Sequence, residues 1–411
     1  MHSAATSSMV RHMTTSRQTH LDALRGLAAV IVVFVHYCCA FFPYAVFGSK
    51  ASYHRHLPLE EIFFYPPFGL LVAGYFAVCL FFILSGYVLS YPYLGEPSQR
   101  VRIIAAIIKR PIRLGGLVWF TILCPAILWS VGYFSNGAVA DLTGSRPWFR
   151  GFWPGEFNPH KFFINFTTSA FSKGTIYNPP LWSIKIELYG SILVFLFLLL
   201  LGNFKYRLVV ASVLILLCKD SLYQGFWIGL LIADVMKHHR HRLPIKLTGV
   251  GFYLLLVAFI FLSSYPHYVD HSFIEKTIYG FLPDDQGFGG GYPMLSALLC
   301  FILVVSNSRI QRYLQGPMFQ FVGAISYGLY VVHFLVLGSL SSAIFVVLRD
   351  HLGHAASFVI VFLSGMAFVG FAAYLSTRYI DSPCISFANR ISHKVTQIAG
   401  FNGIGYPLRN G

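Results

Sequence analysis

The sequence predicts an all-α, polytopic membrane bundle of about ten crossings with both termini cytoplasmic, and three observations carry that prediction. Only 11% of the residues are charged and 56% are hydrophobic, against about 25% charged in a typical soluble domain. Apolar runs of the ~20 residues that a helical crossing needs recur along the chain with short polar breaks between them. Most of the 30 Lys and Arg fall on the alternate connections that an N-inside arrangement puts on the inner side. Only four of the 15 acids, Asp22, Glu96, Asp234 and Asp381, fall there. That is the positive-inside pattern. The net charge of +15 is then a topology signal. A nucleic-acid footprint would need basic residues interleaved with aromatics on a soluble face.

The crossings are read near 21–42, 69–91, 111–134, 184–201, 206–218, 222–236, 249–264, 294–308, 319–340 and 356–380. The fifth and sixth are short, as tilted or kinked spans would be. The clusters YPPF (65–68), YPYLG (91–95) and YNPPLW (177–182) suit interfacial helix ends. Residues 1–20 lack the apolar core of a cleaved signal and are read as a cytoplasmic tail. Residues 21–385 form the transmembrane domain and 386–411 a cytoplasmic tail. The connections 135–183 and 265–293 are rich in Gly, Pro, Asn and aromatics; each is a surface loop or shapes a substrate. The seven cysteines lie in or beside crossings or in the C-terminal tail and imply no disulfide framework.

Polar residues inside the apolar runs are the candidate chemistry. LDALRGLAAVIVVFVHY (21–37) places Arg25 and His36 eleven residues apart, which returns them to within ~20° of one face, ~16 Å apart along the axis. Arg25 belongs at the cytoplasmic mouth, where Asp22 can pair with it or it can simply snorkel. His36 falls near the bilayer middle, where an ionisable group is expensive and functional by default. In FFILSGYVL (81–89), Ser85–Gly86 is a notch for a packed helix or a thin ligand.

KRPIRL (109–114) opens the third crossing, with Pro111 suited to a first helical turn. Arg110 and Arg113 either express the positive-inside bias or clamp phosphate. In LWSIKIELYGS (181–191), Glu187 lies a turn or more inside and needs a cationic or titratable partner, His36 or an arginine from another helix. In ISYGLYVVHF (325–334), Tyr327, Tyr330 and His333 step by threes into a polar stripe, which either lines a substrate passage or bonds to neighbouring helices. KHHRHR (237–242) reads as a basic inner connection, and no His/Asp/Glu set with metal-ligand spacing stands out.

These stretches, in order, resemble the motifs of the integral-membrane acyltransferase type 3 family, and the resemblance runs from about residue 20 to 385. It implies an O-acyltransferase of about ten spans in the cell (inner or plasma) membrane. Such an enzyme moves an acyl group, commonly acetyl, from cytoplasmic acyl-coenzyme A to a hydroxyl of a carbohydrate or other acceptor. The donor is a co-substrate, with no permanently bound cofactor. By position, His36 corresponds to the catalytic histidine and Arg25 to its companion arginine. Arg110 and Arg113 correspond to the paired arginines linked to donor binding, and Glu187 to the acidic position of the fourth-helix motif.

Two departures are mild. His333 is followed by Phe-Leu where a proline often stands two residues on, and Asp381-Ser382-Pro383 replaces Glu-x-Pro. No room is expected for the hydrolase-like domain that some relatives carry, so the acceptor would meet the membrane domain or a partner protein. In this chemistry His36 takes and returns a proton, and Glu187 orients its imidazole. The alternative is a proton-coupled transporter, which predicts repeat-related halves with paired interrupted helices.

Overall fold

The computed structural model describes residues 18–50, 53–95, 99–238, 249–285 and 289–398. Most of the N-terminal tail, the KHHRHR run from residue 239 on and the chain beyond 398 lie outside the described residues. The described residues are helical with no strand, as the apolar runs require. The principal helices are α1 (Thr19–Phe41), α2 (Gly74–Ser90), α3 (Arg100–Ser130), α4 (Leu181–Leu201), α5 (Arg207–Leu217), α6 (Tyr223–His238) and α7 (Val250–Ser263). They are followed by α8 (Gly291–Ser306), α9 (Ser308–Leu314), α10 (Pro317–Ala324), α11 (Ser326–Val336), α12 (Ser342–Ser376) and α13 (Ser382–Ile398).

Each expected crossing coincides with a helix, but several boundaries differ for local reasons. The third helix starts at Arg100, so Pro111 and Pro125 sit in its interior. Pro111 removes one backbone bond without ending the helix, because the apolar run continues on both sides. The ninth expected crossing is broken between α10 and α11. A π-helical segment, Leu337–Ser341, then joins α11 to α12, and a second, Thr377–Asp381, joins α12 to α13. Gly353, at φ 74°, kinks α12 near its start. Residues 386–398, expected as tail, belong to α13, which packs along α3 with Ala388 fully buried and Cys384 against Gly116. By length and apolarity, five helices among the described residues can cross a membrane, or six if α8 and α9, bent by 94°, make one span. Helices α5 and α7 are apolar but shorter.

Two close approaches set the core. Helix α6 lies tightly on α2, with Gly229 against the Ile83 carbonyl and Gly86 against the Phe226 carbonyl; any Cβ at either glycine would collide with backbone. The notch at Ser85–Gly86 thus has its glycine used for packing. Helix α1 crosses α10 through Gly26 and Gly323, where a Cβ on Gly26 would lie 2.6 Å from the Gly323 nitrogen. Helix α1 also touches α2 and α11, which puts its polar residues at the centre of the bundle.

Candidate active site

His36 lies five residues before the end of α1, which is ~8 Å from that end, so it stands nearer the helix terminus than its middle. The connection 135–183 folds over it as short helices, and Trp148 stacks on the imidazole at 5.8 Å between centroids and 17° between planes. Phe334 meets the ring edge-on at 5.3 Å. His36 Nδ1 lies 2.9 Å from His333 Nε2, and His333 Nδ1 lies 3.1 Å from the Leu329 carbonyl one turn back. His333 is fully buried, whereas His36 and Trp148 each keep part of their surface accessible. The cover is braced from several sides. Ser135 N–H donates to Gly338 O (3.0 Å), and Asn136 Nδ2 donates to Phe149 O (2.8 Å) and Phe152 O (2.9 Å). Trp153 Nε1 donates to Tyr177 O (2.8 Å).

A second polar cluster lies on α2, α3 and α4. Arg110 forms a buried ion pair with Glu187, their side chains 9% and 13% exposed. The same Glu187 oxygen accepts from Ser85 Oγ at 2.8 Å, and Arg110 Nε donates to Ser191 Oγ at 2.8 Å. Ser191 in turn donates to the Glu187 carbonyl. Arg25, Arg113 and Tyr327 lie within electrostatic reach of Arg110, and Asp381 within reach of Arg113 and Tyr327. Arg25 Nη1 pairs with Asp22 Oδ1 at 3.4 Å. Arg113 is exposed.

The residues singled out from sequence therefore converge, but into two groups with different pairings. Glu187 meets an arginine from another helix, and the imidazole of His36 meets His333 instead of a carboxylate. Arg110 and Arg113 do not stand as twin clamps, since Arg110 is buried and its guanidinium is occupied while Arg113 faces outward. The tyrosines of the stripe, expected as candidates for lining a passage, are used for interhelical bonds. Tyr327 Oη donates to Leu114 O (2.9 Å), and Tyr330 Oη shares a 2.6 Å bond with Ser183 Oγ. Ser85 is likewise committed. The physical reason is common to all three: a hydroxyl in an apolar bundle is costly until a neighbouring helix satisfies it.

Sequence reasoning missed Trp148, Phe334 and Ser191. Ser191 was legible, one helical turn from Glu187 on the same face. Trp148 carried only the general signal of an aromatic in a long outer connection. Among the described residues, no three His, Cys, Asp or Glu side chains are gathered in a metal-holding group.

A family model described as an acyltransferase domain matches residues 19–378. The chain is similar to "Acyltransferase clz18" of Cochliobolus lunatus, 25% identical over 89% of this chain and 93% of that protein. It is similar to "Acyltransferase R4" of Phoma sp., 23% identical over 80% of this chain and 85% of that protein. It is also similar to "O-acetyltransferase PaAT-1" of Phomopsis amygdali, 24% identical over 79% of this chain and 73% of that protein. No solved structure matches it.

Proposed function

The chain belongs to the acyltransferase family whose domain it matches over residues 19–378, and on that premise we propose that it moves an acyl group, with acetyl the expected one, from cytoplasmic acyl-coenzyme A to an acceptor hydroxyl. A carbohydrate hydroxyl is the first acceptor class to test. One observation carries the reading: an accessible histidine, His36, sits under an aromatic cover at one end of α1, while Arg25 sits near the other end of the same helix.

The chemistry follows from that placement. His36 removes the proton from the acceptor hydroxyl as its oxygen attacks the thioester carbonyl. The tetrahedral intermediate collapses, the carbon–sulfur bond breaks, and the proton passes from His36 to the departing thiolate. Arg25 and the exposed Arg113 are the donor-facing cations, suited to the nucleotide phosphates. Arg110 and Glu187, with Ser85, hold α2, α3 and α4 together. Comparative mass spectrometry of glycans, lipids and small metabolites from cells with and without the gene tests the function. The expected result is the loss of one O-acyl increment. Unchanged acylation, with a purified protein that neither binds acetyl-coenzyme A nor turns it over, sinks the proposal.

We further propose ten crossings with both termini inside, in the plasma or inner membrane. Contacts sort by side in support of this. His56 and His354 stack at 3.9 Å and bond to the Thr143 and Phe41 carbonyls, and Lys50 reaches Asp270 at 3.9 Å, all on segments assigned outside. On segments assigned inside, Arg207 and His238 both bond Asp234, Lys237 Nζ donates to Tyr91 O, and Gln320 donates to Thr19 O. Single cysteines replacing the exposed Glu156 and Ser272 are expected to label with an impermeant thiol reagent in intact cells, above the unmodified parent. Protection of both would overturn the arrangement. The transporter alternative gains no support: the 94° bend at Asn307 and the kink at Gly353 both lie in the second half of the chain, not at equivalent positions of two halves.

A further inference from the structure

We infer that His333 is a positioning residue that fixes the proton of His36 on Nδ1, so that Nε2 carries the lone pair that acts as base. The inference rests on the proposal that His36 is that base, and it adds which nitrogen acts and what selects it.

The argument starts at the buried end. A backbone carbonyl only accepts, so the nitrogen facing Leu329 O at 3.1 Å, His333 Nδ1, bears a hydrogen. The Tyr330 carbonyl is a second backbone acceptor for the same ring. A neutral imidazole carries one N–H, and His333 is fully buried between Tyr330 and Phe334, where a charge is costly. His333 Nε2 is therefore a lone pair. It points at His36 Nδ1 from 2.9 Å, and two lone pairs do not attract at that distance, so His36 Nδ1 bears the hydrogen. The Val32 carbonyl, one turn back on α1, is a further backbone acceptor for the His36 ring, which is compatible with an N–H there.

The chain of donors thus runs from His36 Nδ1–H to His333 Nε2, and from His333 Nδ1–H to the backbone of α11. In a hydrolase triad a carboxylate performs this selection and also stabilises the imidazolium electrostatically. Here a neutral ring selects the tautomer without adding a negative charge. The other rings against His36 are those of the uncharged Trp148 and Phe334. Consequently His36 is held in one tautomer, as in a triad, but without a carboxylate charge beside it.

Two measurements test this on the full-length protein in nanodiscs. In 15N-histidine-labelled protein, the His36 signals, identified by their loss in His36→Gln, should show the Nδ1–H tautomer above the pH at which the ring charges. Kinetically, His333→Leu should lower kcat about 10- to 100-fold with little change in the donor KM. His333→Gln should recover part of that loss, because its amide oxygen can accept from Nδ1–H. His333→Glu should keep the tautomer and add a charge, so the acid limb of the pH–rate profile should move to higher pH while kcat stays above that of His333→Leu, a rescue that a merely structural role would not give. An Nε2–H tautomer in the wild type overturns the inference, even if the Leu variant fails to fold. Full activity of His333→Leu, while His36→Gln is inactive, overturns it and spares the base. Activity in His36→Gln overturns the base reading itself.

Discussion

Replacing His36 with Gln is expected to abolish acyl transfer while leaving the protein inserted and folded. Gln roughly fills the ring's volume and can still bond His333 Nε2 through its amide N–H, so packing beneath Trp148 should survive. What disappears is a group that can take a proton and give it back. General acid–base catalysis is worth ~10²- to 10⁴-fold, which is ~2.7–5.5 kcal/mol of activation free energy at about 1.36 kcal/mol per tenfold. Loss of orientation beside the acceptor adds to that. The measurement is transfer of radiolabelled acetyl from acetyl-coenzyme A by purified protein in nanodiscs, with thermal stability recorded alongside. Arg25→Ala should be severe by a separate route, visible in donor affinity, since ~16 Å of helix keeps the guanidinium away from the imidazole. A stable His36→Gln protein with a substantial fraction of normal turnover would reduce His36 to a buried polar residue.

The distribution of helices was legible because each apolar run must be satisfied by its own backbone bonds. Their ends were less so. Pro111 reads as a helix start, yet α3 begins at Arg100, and Val101–Ile108 supplies a further, mostly apolar stretch with Ile103 and Ala105 buried. Which polar residues gather inside the bundle was also legible: Arg25, His36, Ser85, Arg110, Glu187, Tyr327 and His333 all lie in the two clusters. Their pairings were not. Which residue of α4 faces which helix depends on its rotation about its own axis, and LWSIKIELYGSILVFLFLLLL is apolar nearly all round, so no amphipathic stripe fixes that rotation. Glu187 therefore read as a partner for either His36 or an arginine of another helix, and it is the second that α3 supplies, as Arg110. Trp148 over His36 joins segments far apart in the chain, a contact that no spacing rule encodes.

The Arg110–Glu187 pair gives the largest expected effect on stability. Both side chains are almost fully buried, and each satisfies the other with help from Ser85 and Ser191. Arg110→Ala leaves a carboxylate in the bundle with only a serine hydroxyl to answer it, and removing one partner of such a pair typically costs ~3–5 kcal/mol. Glu187→Gln leaves the guanidinium facing a neutral amide that can still accept one bond, so its cost should be smaller, though of the same sign. Loss of folded protein after mild heating, followed by size-exclusion chromatography, reads both. The double replacement Arg110→Met with Glu187→Met removes both desolvation penalties and fills comparable volume, so stability should return close to the wild-type level. Transfer should return with it, because Glu187 touches Arg110 and Ser85 and not His36; the donor KM should stay raised, because Arg110 lies within reach of Arg25 and Arg113. A double variant as stable as the wild type but unable to transfer would place Glu187 back among the residues that support the base.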